Sequence, residues 1–438
     1  MTPTPPQLWS PILEGEDAAL AHDAVTAVAE AIREALPDRN ASAGLAGGEA
    51  GIAVFYEYLD RARPGAGYGE VAQERLERAI DILSSATHDP SLFAGFTGVS
   101  WAVEHLQGGE AEPDGETDED EEDPNEEIDA ALLDLLQKSP WPHDYDLVAG
   151  LVGHGVYALE RLPRPSAAAC LELVVERLAE IADRRPEGVA WHTPLSLVPE
   201  LNRPWYPEGL DNLGVAHGTP GVLALLARIC ASGVAAERSR SLLADGVSWL
   251  LAQKMTGNEI SVFPYAAGSG FKIRPARTAW CYGDPGIALA LLAAGRAAGE
   301  PAWEREALAL ARTVARRPPE SCNVNDAGLC HGAAGLGHLL NRLYQATGEP
   351  EFLEAARAWL RRALGYREPG RGIGGFLAYT TVDETFEEMG WIEDAGFLIG
   401  SAGMALILLA ATSGVEPAWD RVLLISPLPE KSALESRP

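Results

Sequence analysis

The sequence predicts an all-α protein, an (α/α)₇ toroid of seven inner and seven outer helices. Three observations lead there. A Gly-x-x-Gly element opens an apolar segment of helical length in seven places, a more amphipathic segment precedes each one, and no stretch shows the period-two alternation of a major β-sheet.

The first glycines of the elements are Gly48, Gly95, Gly150, Gly218, Gly283, Gly332 and Gly400. Segments such as GIAVFYEYL from Gly51, GVLALLARI from Gly221 and GMALILLAA from Gly403 are apolar on nearly all sides, as helices buried all round must be. The polar-faced partners begin near Asp23, Glu70, Ile128, Ala169, Ser241, Trp303 and Phe352. Successive first glycines lie 47 to 68 residues apart, room for a helix pair and its loops. A helix buried all round needs neighbours on both sides, and closing the array into a ring supplies them. An open solenoid is the alternative; it would want polar capping repeats, which neither end offers. These patterns set a toroid over 21–415, an N-terminal extension over 1–20 and a tail over 416–438. Residues 260–273 and 372–381 suggest short hairpins.

Composition narrows the class. Hydrophobic residues make up 47% of the 438, yet no apolar run reaches the ~18 residues of a membrane span. Residues 1–15 lack a basic region followed by an apolar one, so a cytoplasmic protein is expected. Five cysteines at irregular spacings predict reduced thiols and metal ligation rather than disulfides. A net charge of −30 repels nucleic acid and anionic lipid, so neither is an expected partner. Residues 110–129 hold 13 acidic side chains and no basic one, which predicts a solvated, disordered insertion over 109–129; the alternative is a docking strip for a basic partner. Four lysines among 34 basic residues, with abundant Ala, Gly and Pro, point to a GC-rich bacterial gene.

In a toroid all inner helices run the same way, so every glycine turn sits at one rim. The residues just before the first glycine are bland in repeats one to three and seven. Repeat four places His217 before Gly218; repeat five places Cys281 two before Gly283; repeat six places Cys330 and His331 directly before Gly332. Thiolate and imidazole are the ligands Zn²⁺ prefers, and a three-ligand Cys₂His set leaves one tetrahedral position open for substrate. Cys281, Cys330 and His331 are therefore the expected ligands of one catalytic Zn²⁺ per chain. The 49 residues separating the two cysteines exclude a local zinc-finger clip. Cys322 is the alternative fourth ligand, whereas Cys170, Cys230, His154 and His338 read as core residues. His192 falls in 191–205, either a substrate loop or a surface one.

The strings NLGVAHGTPG (212–221), RTAWCYGDPG (277–286) and LCHGAAG (329–335) resemble the hallmark motifs of the lanthionine cyclase (LanC) family. YDLVAGLVG (145–153) and GFLIGSAG (396–403) look like further family repeats in the right order, so the likeness covers nearly the whole chain. The acidic run is not part of the family pattern. The resemblance implies a zinc-dependent cyclase that adds a peptide cysteine thiol to dehydroalanine or dehydrobutyrine, forming a thioether ring. By motif position it makes Cys281, Cys330 and His331 the zinc ligands and His217 the general acid/base. Asp146 and Arg277 would support acid/base work or the developing enolate, and Trp280 and Tyr282 would line the substrate pocket. A carboxylate at Asp146 also suits a plain turn cap. The implied partners are a dehydrated precursor peptide and, since the chain has no room for a dehydratase domain, a separate dehydratase. Two other readings are transfer of glutathione or another small thiol to an electrophile, and a non-catalytic scaffold.

Overall fold

A computed structural model describes residues 9–34, 42–85, 89–107, 123–257, 260–382 and 388–429. The inner helices are α2 (Glu49–Ala62), α4 (Phe96–Gln107), α6 (Leu151–Glu160), α8 (Thr219–Ser232), α10 (Asp284–Ala298), α12 (Ala333–Thr347) and α14 (Ser401–Thr412). Each follows an outer helix: α1 (Gly15–Glu34), α3 (Tyr68–Ser84), α5 (Glu126–Leu136), α7 (Pro165–Glu180), α9 (Ala236–Ala252), α11 (Pro301–Ala315) and α13 (Pro350–Leu364). The predicted (α/α)₇ toroid is the observed architecture, and α14 closes the ring by packing on α1 and α2.

Burial separates the two layers. Every residue of α10 from Asp284 to Ala297 is buried, whereas α11 buries Ala307, Leu310, Ala311 and Val314, the i, i+3, i+4, i+7 stripe of a one-faced helix. Proline in the first turn starts α7, α11 and α13, and left-handed Gly233, Gly299 and Gly348 end α8, α10 and α12.

The glycine turns are needed mainly for close backbone approach. A Cβ on Gly335 would lie 1.8 Å from the Leu329 carbonyl oxygen, and one on Gly403 1.7 Å from that of Phe397. Among the seven first glycines, Gly283 alone has a positive φ, +119°. Residues two or three before those glycines join into a belt. The amide of Ala46 donates to Phe93, Leu92 to Val148, Leu147 to Ala216, Ala216 to Cys281, Cys330 to Leu398 and Leu398 back to Ala46, at 2.8–3.4 Å. A second rule holds six residues before the first glycine. There Ser42, Asp89, Asn212, Asp326 and Asp394 each accept the amide two residues on, and Asp144 and Arg277 occupy the other two places.

The small sheets lie in the outer-to-inner connections of repeats four, five and seven. β1 (Asp183–Arg185) pairs with β2 (Gly188–Ala190); β4 (Leu210–Asn212) lies between β3 (His192–Thr193) and β5 (Ala266–Ala267); β6 (Ala378–Thr381) pairs with β7 (Met389–Ile392). The hairpin expected within 372–381 is thus displaced: its second strand is 389–392. The one expected within 260–273 is present as a short irregular hairpin in which 263–265 pair with 274–276, just beyond the expected end, and Ala266 and Ala267 also add to the edge of β4.

Three expectations from sequence need correction. The first outer helix starts before residue 21: α1 begins at Gly15, and Trp9, Ile12 and Leu13 are buried. Apolar residues in the extension supply the reason. The acidic insertion is not solvated to its end, since Asn125 and Asp129 are buried and fully buried Arg161 pairs with Glu104 (2.7 Å), Asp123 (2.5 Å) and Asp129 (2.8 Å). A guanidinium without solvent needs those carboxylates. Residues 108–122 of the insertion lie outside the described residues. Finally, the stretch after 415 does not run free. Its 3₁₀ turn Ala418–Leu423 enters the ring, where Trp419 stacks on His338 at 5.1 Å and Arg228 and Arg296 donate to the carbonyls of Ser426 and Leu428. Residues 430–438 lie outside the described residues. No described helix is long and apolar enough to cross a membrane.

Asp420, fully buried, anchors this plug through His338 Nε2 (2.8 Å) and the Arg342 guanidinium (2.6 and 2.8 Å). Burial alone would raise its pKa, but the charge of Arg342 and the His338 hydrogen bond hold it well below the carboxylate range. Its stabilisation is therefore present above the unfolded carboxyl pKa of about 4 and lost as pH falls through the folded value. Asp420→Ala is expected to strand buried Arg342 and cost about 3–5 kcal/mol, read as a drop in melting temperature at pH 7. An unchanged melting temperature would make the plug dispensable.

Candidate metal centre

The belt has a gap. Among the described residues no backbone hydrogen bond joins turn five, which ends at Gly283, to turn six, which ends at Gly332; the link there, Thr278 N–H to Cys322 C=O at 3.0 Å, lies outside the belt. At this junction one donor atom each from Cys281, Cys330 and His331 come within 4.8 Å of one another. Both cysteines are 8% exposed. Tetrahedral Zn²⁺ with Zn–S bonds of ~2.3 Å needs donors roughly 3.5–4 Å apart, so two thiols and an imidazole converging this closely fit the ion in number, chemistry and spacing. Adjacent Cys330 and His331 serve one centre because they lie in a turn before α12, where consecutive side chains need not diverge as on a helix.

The surroundings favour a thiolate. A hydrogen bond from Cys330 and the positive groups of His331 and Arg277 hold the Cys281 thiol well below its ordinary value against the opposing effect of burial. The same hydrogen bond, with burial, pushes Cys330 up. His331 turns Nε2 toward the Tyr379 carbonyl (3.5 Å) and the buried Asp326 carboxylate (4.0 Å), and Asp326 also accepts the Tyr379 amide at 2.9 Å. Such an outer carboxylate commonly fixes a ligand imidazole. Cys322 is fully buried, approaches the Pro318 carbonyl and stands outside the donor set.

His217 stands one turn away. Its Nδ1 meets Asp146 Oδ2 at 2.6 Å, while Asp146 Oδ1 accepts the Ala149 amide at 2.7 Å. One carboxylate thus both caps its turn and orients the imidazole. Burial disfavours the imidazolium, but the Asp146 hydrogen bond and charge outweigh it and raise the His217 pKa above 6.5. The Tyr282 ring lies 6.1 Å from His217, and its hydroxyl accepts from Asn212 Nδ2 at 2.9 Å. Arg277 Nε donates to the Tyr265 hydroxyl at 3.0 Å. His217, Asp146 and Tyr282 line a cavity of about 400 Å³ together with Asn202, Tyr206 and Thr193. The 191–205 stretch contributes walls to this cavity, although His192 itself is held by Asp211 at 2.9 Å.

Trp280 does not line the pocket as expected. It is 1% exposed, and its indole donates to the Leu423 carbonyl at 2.9 Å, so its side chain points into the ring onto the C-terminal plug. Asp144 is a site residue that sequence reading missed. It lines the same cavity, and burial, followed by the Asp146 carboxylate, pushes its pKa up to about 6. A signal did exist: Asp144 and Arg277 are the two residues, six before a first glycine, that do not cap their turn.

Residues 39–424 match the family model described as lanthionine synthetase C-like protein. Over 380 residues the chain is 22% identical to the nisin biosynthesis protein NisC of Lactococcus lactis subsp. lactis, covering 81% of this chain and 83% of that one. It is 29% identical over 169 residues to glutathione S-transferase LANCL1 of Danio rerio, a match spanning 38% of each chain. The solved structure of nisin cyclase superimposes with a TM-score of 0.73 at 19% identity, over 93% of this chain and 98% of that one, and shares the fold.

An ion on this donor set would bridge turns five and six where the belt does not. One equivalent of Zn²⁺ added to metal-free protein is expected to slow amide exchange in 279–283 and 328–332 and to leave turns one to three unchanged. Mass spectrometry of deuterated peptides reads this directly, and equal protection with and without zinc would show that the junction closes on its own.

Proposed function

The chain belongs to the lanthionine synthetase C-like family, and we propose that it is a zinc-dependent cyclase that adds peptide cysteine thiols to dehydroalanine or dehydrobutyrine, closing thioether rings. The observation that carries this reading is the meeting of the Cys281–Cys330–His331 donors with the His217–Asp146 pair on neighbouring turns of one rim. Zn²⁺ held there would lower the pKa of a substrate thiol and keep it as a nucleophile at neutral pH.

The chain's own residues account for the rest. As the S–Cβ bond forms, the π pair of the dehydroamino acid moves toward Cα and its carbonyl, and a proton must then reach Cα. His217, whose imidazolium form Asp146 favours, would deliver it. Asp146 keeps Nδ1 engaged and leaves Nε2 for the substrate. Arg277, held by Tyr265, brings a permanent positive charge toward the enolate oxygen. Tyr282 and Asn212 form the wall between donors and cavity. This reading calls for a dehydrated precursor peptide, a separate dehydratase and cytoplasmic chemistry. Transfer of glutathione or another small thiol is the second reading, suggested by the LANCL1 relative; the 400 Å³ cavity and its open neighbour favour the larger substrate.

Metal analysis of purified wild type is expected to find about one zinc per chain, in keeping with one three-donor cluster, and Cys281→Ala is expected to lose the zinc. Cyclisation of a dehydrated peptide by that variant should fall beyond the roughly 10- to 100-fold typical of outer-shell changes; full activity without zinc would sink the mechanism. The acid form of His217 exists below its raised pKa, so activity should fall as pH rises through that value. Asp146→Asn removes the charge that raises it, and the basic limb of kcat should move to lower pH with zinc retained. An unmoved limb would assign the proton to another group.

A further inference from the structure

The exposed apolar side chains are not scattered. Ten large ones stand exposed among the described residues, and eight of them sit on the three connections that carry the small sheets at the glycine rim. Scattered single apolar residues are ordinary on a protein surface, but a group gathered at one mouth marks a contact.

Five of the eight lie in two groups, one beside the His217 cavity and one beside His331. The first holds Leu201, Trp205 (59% exposed) and Ile273, beside an open trough of about 320 Å³. That trough shares Asn202, Tyr206, Tyr265 and Ala266 with the cavity of His217, so the two are continuous. The tilted rings of Tyr265 and Tyr282, 5.1 Å apart, connect it to Cys281, the neighbour of Tyr282 in sequence. The second holds Val382 and Trp391 of the β6–β7 hairpin. Trp391 packs 5.1 Å from Tyr379, whose carbonyl stands 3.5 Å from His331.

We propose that this mouth is a docking surface for an extended segment of the substrate peptide. Apolar side chains on either side of the reacting pair rest on the Trp205–Ile273 and Val382–Trp391 groups, and a carboxylate of the peptide faces Lys272 and Arg274. This deepens the cyclase reading and rests on it for the occupant. Two features of the surface favour a peptide over other occupants. The trough leads without interruption into the catalytic cavity, as a threaded chain requires and a flat interface does not. Lys272 and Arg274 both line it, although the chain carries a net charge of −30, which opposes both a second copy and an anionic lipid surface. Arg274 is already placed over Trp205, 5.1 Å from the ring centroid, where it presents an aromatic and cationic face together.

The test uses the full zinc-loaded chain and a fluorescein-labelled peptide of about twelve residues, enough in extended form to cross the mouth. The peptide holds one cysteine, one dehydroalanine and flanking Leu, Phe and Glu; a second has Ser and Gly in the flanks. Fluorescence anisotropy should show tighter binding of the first peptide. The double variants Trp205→Ala/Ile273→Ser and Val382→Ser/Trp391→Ala should each weaken that binding about tenfold, as loss of an aromatic anchor does. Their KM should rise in step, with kcat little changed and melting temperature retained. Equal binding of the two peptides, or variants that bind like wild type, would overturn the proposal. So would a wild type that self-associates through this face and variants that become monomeric with peptide binding intact. Addition of N-acetylcysteine to an N-acetyldehydroalanine amide, which needs no flanks, separates the two ideas: wild type inactive on this pair and on the peptide counts against the cyclase, while anisotropy still reports docking.

Discussion

The structure depends on how closely seven backbone turns approach one another. At each repeat the chain passes so near its own preceding strand of backbone that a methyl group would overlap a carbonyl oxygen, as at Gly335 and Gly403. Close approach lets the belt amides reach the next repeat and places all seven inner helix starts at one rim. Apolar helix faces can then fill the interior. Burial of α10 along almost its whole length is affordable because it has inner neighbours on both sides and an outer helix behind.

The site arises from departures within this regular frame. Five repeats spend the residue six before the glycine on capping their own turn, and the two that do not, Asp144 and Arg277, are both near the centre. The belt hydrogen bonds run from repeat to repeat except where Cys281 faces Cys330 and His331. Chemistry-bearing side chains thus stand where the repeat gives up its structural pattern. α14 closes the ring, and the C-terminal plug accepts the Trp280 indole beside the Cys281 donor.

Charge is distributed to match. The chain is strongly acidic overall, yet Arg277 and His331 act on the Cys281 donor, Lys272 and Arg274 line the trough that continues from the His217 cavity, and Asp144 and Asp146 stand beside His217. His331 and Arg277 favour a thiolate at Cys281 and the carboxylates favour an imidazolium at His217, so a metal-ligating thiolate and a protonated imidazole are supported by opposite fields on neighbouring turns.

The sequence by itself determined the seven-repeat all-α ring and the neighbourhood of the donors, because Gly-x-x-Gly spacing and helix amphipathicity are local properties and His217, Cys281, Cys330 and His331 keep register with them. Asp146 and Tyr282 were legible only through the resemblance to known motifs. Tertiary structure decided what depends on side-chain direction or on contacts far apart in the chain. Trp280 adjoins a donor in sequence but points onto a plug contributed by residue 423, more than a hundred positions away. Asp129, apolar in no sense and embedded in an acidic run, is buried because Arg161 and Tyr157 meet it there. Asp144 became a cavity wall because Asp146 caps the turn in its place. Periodicity fixes where the backbone goes; which way a side chain faces, and what charge it meets, is settled only when the ring closes.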